Sequence, residues 1–275
     1  MNLIKGLRNA CVGLYETAKA LVADRKSTLT QLSQLPFFVR GFREFQKLPS
    51  PPSRLAPPTP APNALRSYVE THHSGKGIWK WNHYFDIYDR HFRKFVGRDV
   101  RVLEIGVYSG GSLEMWRNYF GANCTIFGVD INEACRAHED DRTHVFIGDQ
   151  ADPAFWKSFK DQVPFVDVIV DDGGHMAHQQ IVTLEEMFPR LRPGGVYLCE
   201  DICGVDHPFA AYIAGMAKGL HHFEPDETKS SSKATSFQKW IESIHLYPLV
   251  LVMERSEVPV EAFVSERHGS EWQPS

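Results

Sequence analysis

The sequence lacks the features of a membrane-spanning or secreted protein. It has no apolar run as long as the roughly 18 residues of a bilayer-spanning helix and no signal peptide with a small-residue cleavage site. Its five cysteines form no CxxC pair and no even framework. Cys199 and Cys203 have no companion histidine pattern, so they are interpreted as buried structural thiols rather than zinc ligands. We therefore expect a soluble protein with free thiols in a reducing cytoplasm.

A strong net charge is also missing, although the charge is unevenly distributed. The formal net charge of −4 over 275 residues argues against a nucleic-acid partner. Residues 1–48 carry eight Lys/Arg against three Asp/Glu. Residues 49–62 hold seven prolines in fourteen positions, which cannot sustain a helix or a central strand. These shifts predict an amphipathic helical extension (1–48), a proline-rich linker (49–62) and a main domain (63–275).

The N-terminal extension has the apolar spacing of an amphipathic helix. Apolar residues recur at three- and four-residue steps from Asn2 to about Asp24, and the pattern continues as far as Pro36. Two interpretations stay open. The helix either packs on its own domain or on a second subunit, which makes a homo-oligomer plausible, or it lies on an anionic membrane surface as a peripheral contact.

The stretch from Val100 to Ser112 organises the second part of the chain. An apolar run, Val100–Ile105, ends at Gly106, and the pair Gly110-Gly111 precedes a helix that begins at Ser112. Strand and helix signals alternate after it, which predicts an α/β fold with a Rossmann-like, doubly wound, mostly parallel sheet. The expected elements are helix 112–120, strands 125–130 and 144–149, a helix from Asp152-Pro153, strand 166–172, helix 176–191 ended by Pro193-Gly194-Gly195, strand 196–199 and a hairpin of 244–247 with 249–253.

An aromatic segment precedes this stretch. Tyr84, Tyr88, Phe92 and Phe95 follow helical spacing, which predicts that most rings of the segment belong to the core. The Gly75-Lys76-Gly77 turn beside them is a candidate cap over a ligand site.

Polar residues close five successive strands of the predicted sheet. Ligands of open parallel sheets bind outside the carboxyl ends of the strands. Acids and amides at five neighbouring strand ends therefore predict a binding edge. The residues at this edge are Glu104, Gly106, Asp130, Asp149, Gln150, Asp171, Asp172, Glu200 and Asp201.

The glycine pattern separates two kinds of nucleotide site. Tyr108 stands where a nicotinamide fingerprint needs its second glycine, which argues against a dehydrogenase. The pattern Glu104-x-Gly106-x-x-x-Gly110-Gly111, with Asp130 ending the next strand, resembles the class I S-adenosylmethionine (SAM) dependent methyltransferases. The resemblance implies that Asp130 receives the ribose hydroxyls of SAM. The cofactor-binding residues that it implies are Glu104, Gly106, Ser109, Gly110, Asp130, Asp149, Gln150 and Asp171.

Two later motifs narrow the resemblance. Residues 171–175 (Asp-Asp-Gly-Gly-His) and 194–201 (Gly-Gly-Val-Tyr-Leu-Cys-Glu-Asp) resemble metal-dependent O-methyltransferases of macrolide deoxysugars, the mycinamicin type, and rhamnosyl methyltransferases. The resemblance spans Gly75 to Glu254. It implies Mg²⁺ ligands at Asp172, Glu200 and Asp201, with His175 as general base. His178, three residues into the following helix, is the rival candidate for the base. Carboxylate oxygens suit Mg²⁺, and three carboxylates sharing one site would otherwise repel each other.

Three functions follow as hypotheses. The first is a SAM-dependent, Mg²⁺-assisted O-methyltransferase acting on a hydroxyl of a sugar or glycosylated small molecule. The second is a cephalosporin-hydroxylase-like enzyme, for which redox-active iron and histidine ligands are expected. The third is a non-catalytic, membrane-associated scaffold that binds SAM.

Overall fold

The computed structural model describes residues 2–45, 62–226 and 231–270, and of residues 2–12, 45 and 226 it describes the backbone alone. The chain divides into two units, residues 1–60 and 61–275. All but the last residue of the predicted linker 49–62 lies outside the described residues. The division into extension, linker and domain therefore stays a prediction.

The first unit consists of three helices. They are α1 (Asn2–Ala23), α2 (Arg25–Ser33) and α3 (Leu35–Phe45). Asp24 lies between the first two helices and is the N-cap of α2. Its carboxylate accepts a hydrogen bond from Ser27 N at 3.0 Å. The expectation that the helical pattern ends at Pro36 is wrong. Pro36 is the second residue of α3, where a missing N–H removes no helical hydrogen bond.

The strands of the second unit are β1 (Val100–Ile105), β2 (Cys124–Asp130), β3 (Thr143–Ile147), β4 (Val166–Asp171), β5 (Leu191–Cys199), β6 (Pro225–Asp226), β7 (Ser231–Lys233), β8 (Ile241–Tyr247), β9 (Val250–Arg255) and β10 (Ala262–Val264). Seven of them form one sheet of order β3-β2-β1-β4-β5-β9-β8. Within it, β1 to β5 pair in parallel, and β9 runs antiparallel to both of its neighbours. The predicted α/β fold is confirmed.

Helices accompany the sheet on both faces, and two apolar clusters fill the spaces between them. The helices are α4 (Ala64–Thr71), α5 (Tyr84–Phe92), α6 (Gly111–Phe120), α7 (Pro153–Gln162), α8 (Ala177–Met187), α9 (Pro208–Gly219) and α10 (Ser236–Trp240). Every residue of β4 is buried, as expected for a strand covered on both faces. Strands β6, β7 and β10 form a separate small sheet. No helix of the described residues is both long and apolar enough to cross a membrane.

The aromatic segment before the sheet only partly matches its prediction. Tyr84, Tyr88, Phe92 and Phe95 are buried, as their helical spacing predicts. Trp79 and Trp81 are 90% and 55% exposed, so the expectation that most rings belong to the core does not extend to these two. They precede α5 and lie outside its helical register.

The Pro193-Gly194-Gly195 sequence is part of a strand and does not end a helix. Helix α8 ends at Met187, and β5 already begins at Leu191. A side chain at Gly195 would place a Cβ 2.9 Å from Asp167 O on β4. The glycine therefore lets β5 approach β4 closely, beside the register shift between Val166 and Val168.

The cysteines of the described residues divide into two classes. Cys124, Cys135, Cys199 and Cys203 are free thiols. Cys199 is buried, as predicted, whereas Cys203 is exposed. The prediction of a buried structural thiol is therefore wrong for Cys203, which lies in the irregular segment after β5.

Candidate active site at the carboxyl ends of the strands

A cavity of about 710 Å³ lies where β1 to β5 end. It collects most of the residues that the sequence predicts for a site. Those lining it are Gly106, Ser109, Asp130, Asp149, Gln150, Asp172, His175, Glu200 and Asp201. Glu104, Gly110 and Asp171 are not among its lining residues. Glu104 and Asp171 are buried, with exposures of 0% and 1%, and Gly110 ends the turn before α6 with a φ of +74°.

The turn after β1 requires glycine at its first position. Gly106 has a φ of +92°, and a Cβ there would lie 2.1 Å from Asp172 O. Its N–H donates to Val129 O at 2.8 Å. The turn therefore contacts the end of β4 through backbone atoms, and a side chain would push the two strand ends apart.

Asp130 holds the same turn through its carboxylate. Val107 N and Tyr108 N donate to Oδ2 at 2.9 and 3.0 Å, and Asn132 N donates to Oδ1 at 2.8 Å. Burial alone would raise the pKa of Asp130, but these backbone donors outweigh it and lower the pKa. The side chain is therefore an ionised acceptor that lines the cavity beside the turn.

Gln150 organises the end of β4. Its amide nitrogen donates to Asp171 Oδ1 at 3.0 Å and to Thr183 Oγ1 at 3.1 Å, and its oxygen accepts from Gly174 N at 2.7 Å. Burial raises the pKa of Asp171 to about 7, although Gln150 and Tyr197 donate to its carboxylate. The amide of Gln150 is thus committed to protein partners, whereas the neighbouring Asp149 is exposed.

Asp172, His175 and Asp201 form a cluster that faces the cavity. Their ligand atoms all lie within 4.8 Å of one another. His175 Nε2 lies 3.9 Å from Asp172 Oδ1 and 3.7 Å from Asp201 Oδ2. The side chains of the three residues are 20% to 40% exposed. An exchangeable ligand in the cavity can therefore reach all three.

Backbone strain marks this cluster. His175 and Asp201 have φ angles of 55° and 54°, and Tyr108 across the cavity has 48°. Residues other than glycine adopt such angles at a cost of order 1–3 kcal/mol and tend to do so at functional sites. Three of the four non-glycine residues with positive φ in the described chain line this cavity.

Sequence reasoning missed the residues that hold these acids from the opposite side. The segment between the Gly75–Gly77 turn and α5 crosses the cavity. Trp81 Nε1 and Tyr84 OH donate to Asp201 Oδ1 at 3.1 and 2.7 Å. Lys80 Nζ donates to Asp172 Oδ2 at 2.5 Å and to the two oxygens of Glu200 at 3.0 and 2.9 Å. The acids at neighbouring strand ends were the feature of the sequence that could have pointed to such a residue, because carboxylates that lie close together require a cation to balance their charge.

Lys80 remains charged in a buried position. Its side chain is 3% exposed. Burial alone would lower the pKa of Lys80, but the carboxylates of Glu200 and Asp172 outweigh burial and raise it. Burial also raises the pKa of Glu104, below the cavity floor, to about 7, and Lys80 opposes that shift.

Glu200 lines the same cavity but does not belong to the Asp172–His175–Asp201 cluster. Its carboxylate is 1% exposed, and Oε1 also accepts a hydrogen bond from Tyr88 OH at 2.6 Å. Asp172 and Asp201 present oxygens to the cavity, and two carboxylates with open positions for water fit a hard divalent cation such as Mg²⁺. The metal-binding role of Glu200 stays a prediction, and its carboxylate points at Lys80.

The two candidate bases differ in position. His175 lies in the cavity, and its carbonyl oxygen is 3.1 Å from His207 Nε2. His178 is exposed on the first turn of α8 and is not among the residues that line the cavity. The geometry therefore favours His175 over His178 as a group that contacts ligands.

A second group with metal-ligand atoms lies between α5 and β9. It comprises His91, His245 and Glu254, with ligand atoms within 4.8 Å of each other. Both ring nitrogens of His91 already have partners, Glu254 Oε1 at 2.5 Å and Tyr247 OH at 3.0 Å. Hydrogen bonds from His91 and Lys94 lower the pKa of Glu254 to about 2. This group is a polar network that ties the helix to the sheet.

Comparison with known proteins agrees with this geometry. Residues 103–202 match the family model described as a methyltransferase domain. The matched residues run from β1 to the segment after β5. The fold is that of the class I methyltransferases, so the resemblance and fold class expected from the sequence are confirmed.

Three relatives bear on the function of this part of the chain. The 8-demethyl-8-alpha-L-rhamnosyl tetracenomycin-C 2'-O-methyltransferase of Streptomyces olivaceus is 31% identical over 200 residues, 66% of this chain and 52% of that protein. The mycinamicin VI 2''-O-methyltransferase of Micromonospora griseorubida is 38% identical over 123 residues, 42% of this chain and 30% of that protein. The structure of MycE methyltransferase with Mg, SAH and mycinamycin VI is 27% identical with a TM-score of 0.57, and covers 71% of this chain and 54% of that chain.

These similarities are partial in length. The chain spans at most about half of these curated relatives and of the MycE chain, namely 52%, 30% and 54%.

Gly111 offers a test of how the crossing segment is held. A Cβ at Gly111 would lie 2.3 Å from Gly77 O. We predict that Gly111→Ala lowers the free energy of unfolding by about 1–3 kcal/mol in urea denaturation of the full chain. The matched control Gly215→Ala, in α9 with nothing within 4 Å of the new methyl, should raise it by up to about 1 kcal/mol. If Gly111→Ala is as stable as wild type, the close contact between Gly111 and Gly77 does not contribute to stability.

Proposed function

We propose that the second unit transfers a methyl group from SAM to a hydroxyl group of a sugar or of a glycosylated small molecule. The observation that carries this proposal is the joint placement, in one cavity, of a glycine turn with Asp130 on one side and the Asp172–His175–Asp201 cluster on the other. The named relatives, which are O-methyltransferases of rhamnosyl and macrolide compounds, support the same chemistry.

The donor half of the site is the glycine turn with Asp130. Tight backbone contacts at Gly106 leave the cavity wall without side chains at that point, so the methionine part of SAM can lie against the chain. Oδ1 of the ionised Asp130 carboxylate accepts one backbone hydrogen bond and can accept another from a ribose hydroxyl of SAM. Asp149 is exposed at the next strand end and is the candidate for the adenine amino group, since Gln150 is committed elsewhere.

The acceptor half is the cluster of acids with His175. Asp172 and Asp201 would hold Mg²⁺ through their cavity-facing oxygens. Bound there, the ion would stabilise the oxyanion form of the acceptor hydroxyl. Nε2 of His175, which lies beside Asp172 Oδ1 and Asp201 Oδ2, takes the proton of that hydroxyl. Methyl transfer then forms the carbon–oxygen bond, breaks the carbon–sulfur bond and releases S-adenosylhomocysteine.

The hydroxylase-like alternative has less support. The cavity cluster of the described residues contains one histidine and two carboxylates. Oxygenases that use iron favour two histidines with one carboxylate. This donor set suits a hard, redox-inactive cation better, which favours the methyl-transfer proposal.

We also propose that the N-terminal helices bind a surface outside their own unit. Among residues 13–44, whose side chains are described, none is buried. Phe37 and Phe38 on α3 are 69% and 63% exposed, and Arg40 and Arg43 lie on the same helix. An aromatic and basic helix is suited to an anionic membrane surface. A second copy of the chain is the alternative partner.

Methyl transfer and metal removal test the main proposal. The full chain, mixed with SAM carrying a labelled methyl group and a panel of rhamnosyl and deoxysugar glycosides, should label at least one glycoside when Mg²⁺ is present. Treatment with EDTA should lower the rate by about tenfold or more, since charge stabilisation by the ion is lost. Added Mg²⁺ should restore it. Labelling that is equally fast in EDTA would contradict the role of the ion.

Replacement of the proposed base separates catalysis from binding. We predict that His175→Asn slows methyl transfer by about 10² to 10⁴-fold, while the affinity for S-adenosylhomocysteine stays within about threefold of wild type. The matched control His178→Asn, three residues along the chain, should transfer at the wild-type rate. The base assignment is wrong if the two variants behave alike.

Vesicle binding tests the role of the N-terminal helices. The full chain should sediment with vesicles that contain phosphatidylserine and bind less to neutral vesicles, because basic side chains attract anionic lipid. Substitution of both Phe37 and Phe38 by Ser should abolish sedimentation. Phe223→Ser, at a residue 69% exposed in the other unit, is the control. If the double variant instead dissociates a dimer without changing vesicle binding, the partner is a second copy.

A further inference from the structure

A single lysine side chain lies among the buried acids of the site. Lys80 Nζ contacts Asp172 and Glu200, and Glu104 acts on it electrostatically from below. The side chain is 3% exposed. A charge in such a position is tolerated only when it is paired, because desolvation of an isolated ion costs several kcal/mol. Lys80 is thus part of the electrostatics of the site.

The hydrogen bonds divide the three predicted metal ligands into two classes. Both oxygens of Glu200 accept hydrogen bonds from Lys80, and its side chain is 1% exposed. Asp172 is shared, since Oδ2 binds Lys80 while Oδ1 lies 3.9 Å from His175 Nε2 in the cavity cluster. Asp201 makes no recorded contact with Lys80, and its Oδ1 accepts from Trp81 and Tyr84.

We propose that Lys80 is a built-in cation that occupies Glu200 and limits the affinity of the divalent-ion site to what Asp172 and Asp201 supply. The inference rests on the proposed function only because both assign a divalent ion to Asp172 and Asp201. An ammonium group bound to Asp172 repels a divalent ion held by the same carboxylate. It also takes up the oxygens of the one carboxylate that would otherwise turn toward the ion.

Lys80 also has a consequence for the protein when no ion is bound. Lys80 compensates Asp172 and Glu200, so the cavity edge keeps its arrangement before any metal binds. Removal of Lys80 leaves two carboxylates close together and uncompensated, which is the costly way to break a buried pair. A divalent ion is then the available replacement, and binding of the ion becomes coupled to stability.

Calorimetric titration of MgCl₂ into the EDTA-treated, dialysed full chain tests this inference without an acceptor or SAM. Lys80→Met should bind Mg²⁺ about tenfold more tightly or better than wild type, because a repelling charge is removed and Glu200 is released. The matched control is Lys76→Met, which removes a lysine of the same segment that pairs with Glu114 at 3.1 Å outside the cluster. Its Mg²⁺ affinity should stay within about threefold of wild type.

A variant that keeps Lys80 makes the test decisive even if Lys80→Met folds poorly. Glu200→Gln in the wild-type background should change Mg²⁺ affinity by less than about threefold, since Glu200 serves Lys80 and not the ion. In the Lys80→Met background the same substitution should cancel the gain in affinity. Mg²⁺ should also raise the melting temperature of Lys80→Met more than that of wild type.

Distinct outcomes separate this inference from the proposed function. A loss of about tenfold or more in Mg²⁺ affinity on Glu200→Gln alone would make Glu200 a direct ligand and overturn the inference. Unchanged or weaker binding by Lys80→Met would overturn it as well. Binding by Lys80→Met but not by wild type would support the inference and contradict the role of Mg²⁺ in the proposed reaction.

Discussion

The contact between Lys80 and the carboxylates of Asp172 and Glu200 is the constraint on which the rest of the site depends. Lys80 is separated in the chain from Asp172 by 92 positions and from Glu200 by 120 positions. The partly buried carboxylate of Asp172 and the buried carboxylate of Glu200 can lie close together because an ammonium group lies between them. The same contact brings the segment before α5 across the strand ends, where Trp81 and Tyr84 fix Asp201. The same set of contacts therefore determines the packing of this segment, the compensation of the buried charge and the shape of the cavity.

The backbone forms the opposite wall of the cavity. Gly106 brings the turn after β1 against Asp172 O, and Asp130 accepts two hydrogen bonds from the N–H groups of that turn. Positive φ angles at His175 and Asp201 direct their side chains toward the same space. A donor nucleotide against the turn and an acceptor hydroxyl at His175 would meet in a single cavity, which is the geometric requirement for transfer between them.

The sequence predicted the features that depend on local pattern. Alternation of strand and helix signals indicated the parallel sheet, and the rule that ligands bind at strand ends brought Asp130, Asp172 and Asp201 to one edge. It did not predict Lys80, because a lysine just before a helix has no periodic signature and its partners are remote in sequence. The hydrogen bond from Gln150 to Asp171 and the strand geometry at Gly195 were missed for the same reason: both depend on contacts with β4 and not on neighbouring residues.

Anomalous diffraction from crystals grown with S-adenosylhomocysteine and Mn²⁺, as a substitute for Mg²⁺, tests the central claim most directly. The account predicts an anomalous peak bonded to Asp172 and Asp201, with Lys80 still on Glu200 and the ribose hydroxyls on Asp130. A peak bonded to Glu200 with Lys80 displaced, or a nucleoside away from Asp130, would contradict it.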